Sequence, residues 1–210
     1  MDALLVVDVQ NDFLPGGALA VASGDHVIPV ANRLMESFAL VLATQDWHPA
    51  NHGSFAANHP NRQPGELIDL YGIMQVLWPV HCVQGSPGAA FSADLHVERF
   101  SKVFRKGIDA KIDSYSGFFD NGRRRSTGLA EYLRDRSVDG IFICGLATDY
   151  CVKFSALDST SSGFRTRVIE DACRGVDLKP GDCAAAIAEM RQAGVSIVQS
   201  GNLSGLRKPP

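Results

Sequence analysis

The sequence has no apolar run near the ~20 residues that a membrane-spanning helix needs. Its first residues, Met1-Asp2-Ala3-Leu4, lack the basic region and cleavage site of a signal peptide. Positive charge is not in excess. Twenty Lys and Arg stand against 23 Asp and Glu, a formal net charge of -3, so there is no basic footprint for nucleic acid or an anionic membrane. Cysteine is sparse. The five thiols, at Cys82, Cys144, Cys151, Cys173 and Cys183, are odd in number and scattered, which excludes a disulfide framework. A reducing cytoplasm is the expected home. There is no GxGxxG after the first strand and no P-loop lysine, so no nucleotide cofactor is expected. Repeats, linkers and low-complexity tracts are also missing.

What is present is an alternation of strands and helices. Ala3–Val9 is a short, nearly uninterrupted apolar run, as in strands buried on both faces, with Asp8 inside it. Residues 25–38 have helical spacing, with Val27, Val30, Ala31, Leu34 and Phe38 on one side. Residues 40–44 read as a strand and 103–106 as a weaker one. Ser126 or Thr127 is placed to cap a helix reaching about Arg134. Strands at 140–144, 165–169 and 195–198 alternate with helices at 149–159 and from Asp182 to near Gly194. The tail Leu206–Pro210 reads as frayed. This order predicts a doubly wound, mainly parallel α/β sheet with helices on both faces, a three-layer Rossmann-like topology. A single domain over residues 1–210 fits the length. Residues 46–100 are the exception. They are rich in Pro, Gly, Asn and His with little periodicity, and a loop that long is usually functional.

Ligands of open α/β sheets gather beyond the carboxyl ends of the strands. Asp8, Asp46, Lys106 and Ala147–Cys151 all fall at or just past such ends. Cys151 stands where a helix begins, and helix N-termini favour thiolate over thiol. Taken alone, that stretch fits a packed, inert cysteine better than a reactive one. No histidine lies near Cys151 in sequence, so Asp8 is the candidate base, with Lys106 as the cation that keeps it ionised. The alternative is a structural Asp8–Lys106 pair beside an inert thiol. Asp46-Trp47-His48 is an Asp-x-His pair whose side chains point the same way in extended chain. With His81 it makes an N/O ligand set that suits Zn²⁺, Fe²⁺ or Mn²⁺. Paired surface groups and a hydrogen-bonded loop histidine are the alternatives. His26, His59 and His96 have no comparable company and read as surface or structural.

Together the segments 6–13, 45–55, 78–83, 105–107, 113–118, 145–152 and 171–175 resemble the nicotinamidase (pyrazinamidase) family of isochorismatase-like cysteine hydrolases. They follow one order over most of the chain. The resemblance implies a catalytic triad of Asp8, Lys106 and Cys151. It implies one divalent ion, zinc foremost, on Asp46, His48 and His81, with His52 an outer neighbour of those ligands. Phe13 and Trp78 match aromatic walls around a pyridine ring, and Tyr115 counts with them as substrate-binding. Ala147 and Cys151 match the oxyanion hole, with a cis peptide before Ala147. The implied reaction is hydrolysis of nicotinamide to nicotinate and ammonia through a thioester, in NAD salvage. The implied partner is a small molecule, with homo-oligomer formation left open. Related hydrolases act on carbamoyl amides or other small amides.

Overall fold

A computed structural model describes residues 1–203; the tail Leu206–Pro210 lies outside the described residues. The elements are β1 (Asp2–Val7), α1 (Val27–Met35), β2 (Val41–Asp46), β3 (Leu67–Leu70), β4 (Ile73–Val76), β5 (Lys102–Lys106), α2 (Leu129–Arg134), β6 (Gly140–Leu146), α3 (Lys153–Ser161), β7 (Arg165–Arg174), α4 (Asp182–Gln192) and β8 (Ser196–Val198). Six strands form one sheet in the order β5-β2-β1-β6-β7-β8. Every pairing in it is parallel.

The apolar run of β1 is continuous because both faces are buried. Ala3, Leu5 and Val7 enter the core beneath α2, α3 and α4. Leu4 and Val6, alternating with them, enter the core beneath α1. Helices therefore cover both faces, as the alternation of elements predicts. Among the described residues no helix is long and apolar enough to cross a membrane.

Three local expectations are corrected. β1 stops at Val7, and Asp8 follows it with a left-handed backbone, φ 48°, instead of continuing the strand. α2 starts after Gly128, φ 84°, and not after a capping Ser or Thr. The Ser126 and Thr127 hydroxyls accept from the N–H groups of Gly128 and Leu129, at 3.0 and 3.2 Å, and so shape the turn ahead of the helix. The segment 46–100 contains the β3–β4 hairpin, whose two-residue turn Tyr71-Gly72 has φ of 52° and 86°. Positive φ at both turn positions suits a tight hairpin.

Strand order reverses between β1 and β6. β2 and β5 extend the sheet on one side of β1, while β6, β7 and β8 extend it on the other. A crevice opens beyond the carboxyl ends at such a switch point. Gly145 allows the two central strands to meet there. A Cβ on it would lie 2.1 Å from the Val7 carbonyl oxygen, at φ +116°.

Candidate active site

Strand register brings the charged groups together. Asp46 and Lys106, the last residues of β2 and β5, are directly opposite. Val7 lies opposite Thr44 on one side and Gly145 on the other, so Asp8 emerges between β2 and β6. Lys106 Nζ is 2.9 Å from Asp8 Oδ2, 2.5 Å from Asp46 Oδ1 and 3.3 Å from Cys151 Sγ. It also donates to the Ser114 carbonyl at 3.0 Å. All four side chains are buried. Thr44 donates to Asp8 Oδ1 at 2.7 Å.

Burial would strip the charge from each of these groups, and the cluster decides which keep it. Burial opposes the Lys106 charge, but Asp46 and Asp8 outweigh it and raise its pKa well above the ordinary value. Burial also works against Asp46, yet Lys106 and then His48 hold its carboxyl well below the usual carboxylate range. For Asp8, burial prevails over Lys106 and the pKa is raised. Burial likewise pushes the Cys151 thiol up despite Lys106, and a hydrogen bond to Asp8 adds to the rise. Burial thus works against the thiolate that the helix start favours. Cys151 lies in a π-helical turn, Thr148–Val152, ahead of α3.

The second cluster comes from the long loop. A parallel bridge joins His48 to Val83, with His48 N–H donating to the Cys82 carbonyl at 3.0 Å. That pairing brings His81 beside His48, ring centroids 5.0 Å apart. Asp12 fixes the same loop by accepting from Cys82 N–H at 2.7 Å. Gln10 fixes Asp46: its Nε2 donates to the Asp46 carbonyl and its Oε1 accepts from Asp46 N–H, at 2.9 and 2.8 Å. Asp46, His48 and His81 offer ligand atoms within 4.8 Å of one another. His48 Nδ1 lies 2.9 Å from the Gly107 carbonyl and His81 Nδ1 2.8 Å from the Pro79 carbonyl. A carbonyl can only accept, so each ring carries its proton on Nδ1 and leaves Nε2 free for a metal. Burial lowers the pKa of His81 to about 4, which suits a neutral ligand, whereas at His48 burial is outweighed by Asp46 and the pKa is raised, so an ion would have to displace a proton there. The residues present therefore fit a divalent ion.

His52 packs against His48, with centroids 4.4 Å apart. Its Nδ1 lies 2.8 Å from Ser54 Oγ and 3.3 Å from the Ser54 backbone nitrogen, with Nε2 on the other side of the ring. That nitrogen is buried with no hydrogen-bond partner among the described residues, and it lies near Asp113 and His48. His26 and His96 are exposed, while His59 bonds the Gly53 carbonyl at 2.7 Å.

A cavity joins the two clusters. Phe13, Trp78, Tyr115, Ala147 and Cys151 line it together with Asp46, His48 and His81. The peptide between Leu146 and Ala147 is cis. Leu19, Asp113, Tyr150 and Val176 also line it, and no role was read for them in the sequence. Tyr150 directly precedes Cys151, but a turn's side-chain directions are not fixed by residue order. Thr44 had a signal: two residues before Asp46 in a strand, it shares the Asp46 face.

A family model for the isochorismatase domain matches residues 2–201. The nicotinamidase of Escherichia coli (strain K12) is 51% identical, the alignment covering 93% of each chain. The solved structure of the nicotinamidase–pyrazinamidase of Acinetobacter baumanii superposes with a TM-score of 0.94 at 51% identity, covering 96% of this chain and 97% of that one. The pyrazinamidase of Pyrococcus horikoshii, solved in complex with zinc, gives 0.77 at 40% identity, covering 94% and 98%. The chain belongs to the isochorismatase family, and the relatives just named are its nicotinamidases and pyrazinamidases.

Proposed function

We propose that the protein is a cytoplasmic nicotinamidase, a single-domain amide hydrolase of NAD salvage that also accepts pyrazinamide. The observation that carries this is Lys106 Nζ within 2.9 Å of Asp8 and 3.3 Å of Cys151 Sγ, beside a cavity walled by Phe13 and Trp78. Relatives at 51% identity that are nicotinamidases support the substrate.

The chemistry follows from the cluster. The Cys151 thiol proton passes to Asp8 as Sγ forms a bond to the amide carbon. Lys106 steadies the negative charge as it moves from Asp8 toward sulfur. The oxygen of the tetrahedral adduct accepts from the N–H groups of Ala147 and Cys151. Loss of one such donor costs roughly 10²–10³ in rate in comparable sites. The C–N bond then breaks, the proton on Asp8 leaves with ammonia, and a thioester remains on Cys151. Asp8 takes a proton from water, whose oxygen displaces Sγ; that proton then passes to sulfur, the carboxylic acid releases its own to solvent, and nicotinate and the free thiol result. Asp46, His48 and His81 would hold a divalent ion of zinc, iron or manganese type, which when bound supplies an electrophilic anchor for the pyridine nitrogen. Phe13, Trp78 and Tyr115 enclose the ring.

Ammonia release from nicotinamide, pyrazinamide and a panel of carbamoyl amides tests this. Nicotinamide should be the preferred substrate, and Cys151→Ala should remove turnover while leaving the circular dichroism unchanged. Equal or better use of a carbamoyl compound would move the substrate assignment. Substantial ammonia release by Cys151→Ala would end the thioester route.

A further inference from the structure

We infer that Gln75, which lies outside the cavity, is a positioning residue that sets its aromatic wall. The inference deepens the nicotinamidase reading and rests on it for the choice of ligand. Gln75 belongs to β4 and is 1% exposed, although the hairpin around it is open to solvent: Leu67, Tyr71 and Met74 are each more than half exposed. An amide side chain in such a place must be fully hydrogen-bonded to be tolerated. Two of its partners, Tyr115 and Asp113, line the cavity. Gln75 Nε2 is 2.8 Å from Tyr115 Oη, 3.1 Å from Asp113 Oδ2 and 2.8 Å from the Val76 carbonyl. Its two hydrogens are shared among these three oxygens. Its Oε1 accepts from Asn121 Nδ2 at 3.2 Å, and Asn121 Oδ1 in turn accepts from Tyr115 N–H at 2.9 Å.

The consequence falls on Tyr115. Its phenolic oxygen also accepts from Trp78 Nε1 at 3.1 Å. An indole N–H and an amide N–H are both donors only, so together they occupy the lone pairs of that oxygen. Stacking alone tolerates sliding, whereas two converging donors fix where the ring edge lies. Trp78 then stands nearly perpendicular to both Tyr115 and Tyr150, while Tyr115 meets Tyr150 at 66°, with Trp78–Tyr150 centroids at 4.9 Å and Tyr115–Tyr150 at 5.3 Å. Gln75 thus holds Tyr115 directly, Trp78 through Tyr115, and the Asp113 carboxylate beside His48 and His52. It touches neither Asp8, Lys106 nor Cys151, so its loss should weaken ring binding and leave the bond-breaking groups in place.

Steady-state kinetics on nicotinamide with Gln75→Leu, Tyr115→Phe and the double variant test this. For Gln75→Leu, KM should rise about tenfold or more, equivalent to ~1.4 kcal/mol, with kcat within about threefold. Because Gln75 acts through the Tyr115 hydroxyl, adding Gln75→Leu to Tyr115→Phe should raise KM by less than about twofold. Gln75→Glu keeps the shape but removes the donors and sets a carboxylate against Asp113. It should reproduce the KM rise, and it serves if Gln75→Leu does not fold. An unchanged KM in a folded variant, even with a lowered melting temperature, would reduce Gln75 to a structural tie and overturn the inference. So would independent, multiplicative effects in the double variant. If the unaltered chain releases no ammonia from nicotinamide, the functional reading has failed instead. Nicotinate binding by calorimetry with the same variants then decides the role of Gln75, and unchanged affinity overturns it.

Discussion

At the residue scale, Lys106 carries the most. It is the cation shared by two buried carboxylates, Asp8 and Asp46, and it neighbours the Cys151 thiol. Removing one partner of a buried ion pair leaves a charge with neither water nor a counterion, which typically costs ~3–5 kcal/mol. Here two acids are left facing each other. Lys106→Met, of similar length and without charge, should therefore lower the unfolding free energy by about that amount as well as stop turnover. Urea denaturation measures it, and a loss below ~1 kcal/mol would mean that the carboxylates simply take up protons. The distinction from Cys151→Ala is useful, since that change removes a reacting atom without stranding a charge.

At the element scale, turns between regular elements hold the site as firmly as the strands do. Gly107 follows β5 with φ +64°, and a Cβ there would lie 2.3 Å from His48 Cε1. Its carbonyl is also the partner of His48 Nδ1. Gly107→Ala must displace the His48 ring, and disturbed outer partners of metal-binding histidines commonly cost 10–100-fold in affinity. Zinc titration against a competing chelator should show a loss of about that size with secondary structure retained; unaltered affinity would remove His48 from the ligand set. The β3–β4 hairpin teaches the same lesson. Its sequence, Leu67-Ile68-Asp69-Leu70-Tyr71-Gly72-Ile73-Met74-Gln75-Val76, lacks Asn-Gly or Asp-Gly at the turn and lacks clean alternation. Its face toward the protein is polar at Gln75, and that polarity is legible only once Tyr115 and Asp113 are in place.

At the scale of the whole molecule, the metal-type cluster is held in place by protein groups alone. Asp46 is fixed by Lys106 and Gln10, His48 by Gly107 and His81 by Pro79. Sheet and both cores lie behind it. Stripping divalent ions with a strong chelator should therefore depress ammonia release from nicotinamide while leaving far-UV circular dichroism unchanged, and restoring zinc, iron or manganese should recover it. Activity that survives complete stripping, checked by elemental analysis, would dismiss the ion from the reaction. Global unfolding on stripping would instead make the ion structural.

The sequence by itself determined the architecture and the residue types of the site. A buried parallel strand must be apolar on both faces, so β1 and β6 are visible as runs, and a charge at the end of such a run is conspicuous. Asp8 and Asp46 are legible for that reason and Lys106 less so, at the end of a weaker run, whereas Cys151 in its own stretch reads as a packed thiol. Tertiary structure alone decided how they meet. Asp46 and Lys106 are sixty residues apart in the chain, and only the β5-β2-β1-β6 order brings both to one side of Asp8, with the turn that follows β6 and carries Cys151 on the other. Burial was also its decision: the helix-start argument favours a thiolate at Cys151, whereas desolvation in the folded site pushes the thiol pKa up. Local spacing encodes periodicity and turn chemistry. Desolvation and strand register arise from segments distant in sequence, and no local pattern contains them.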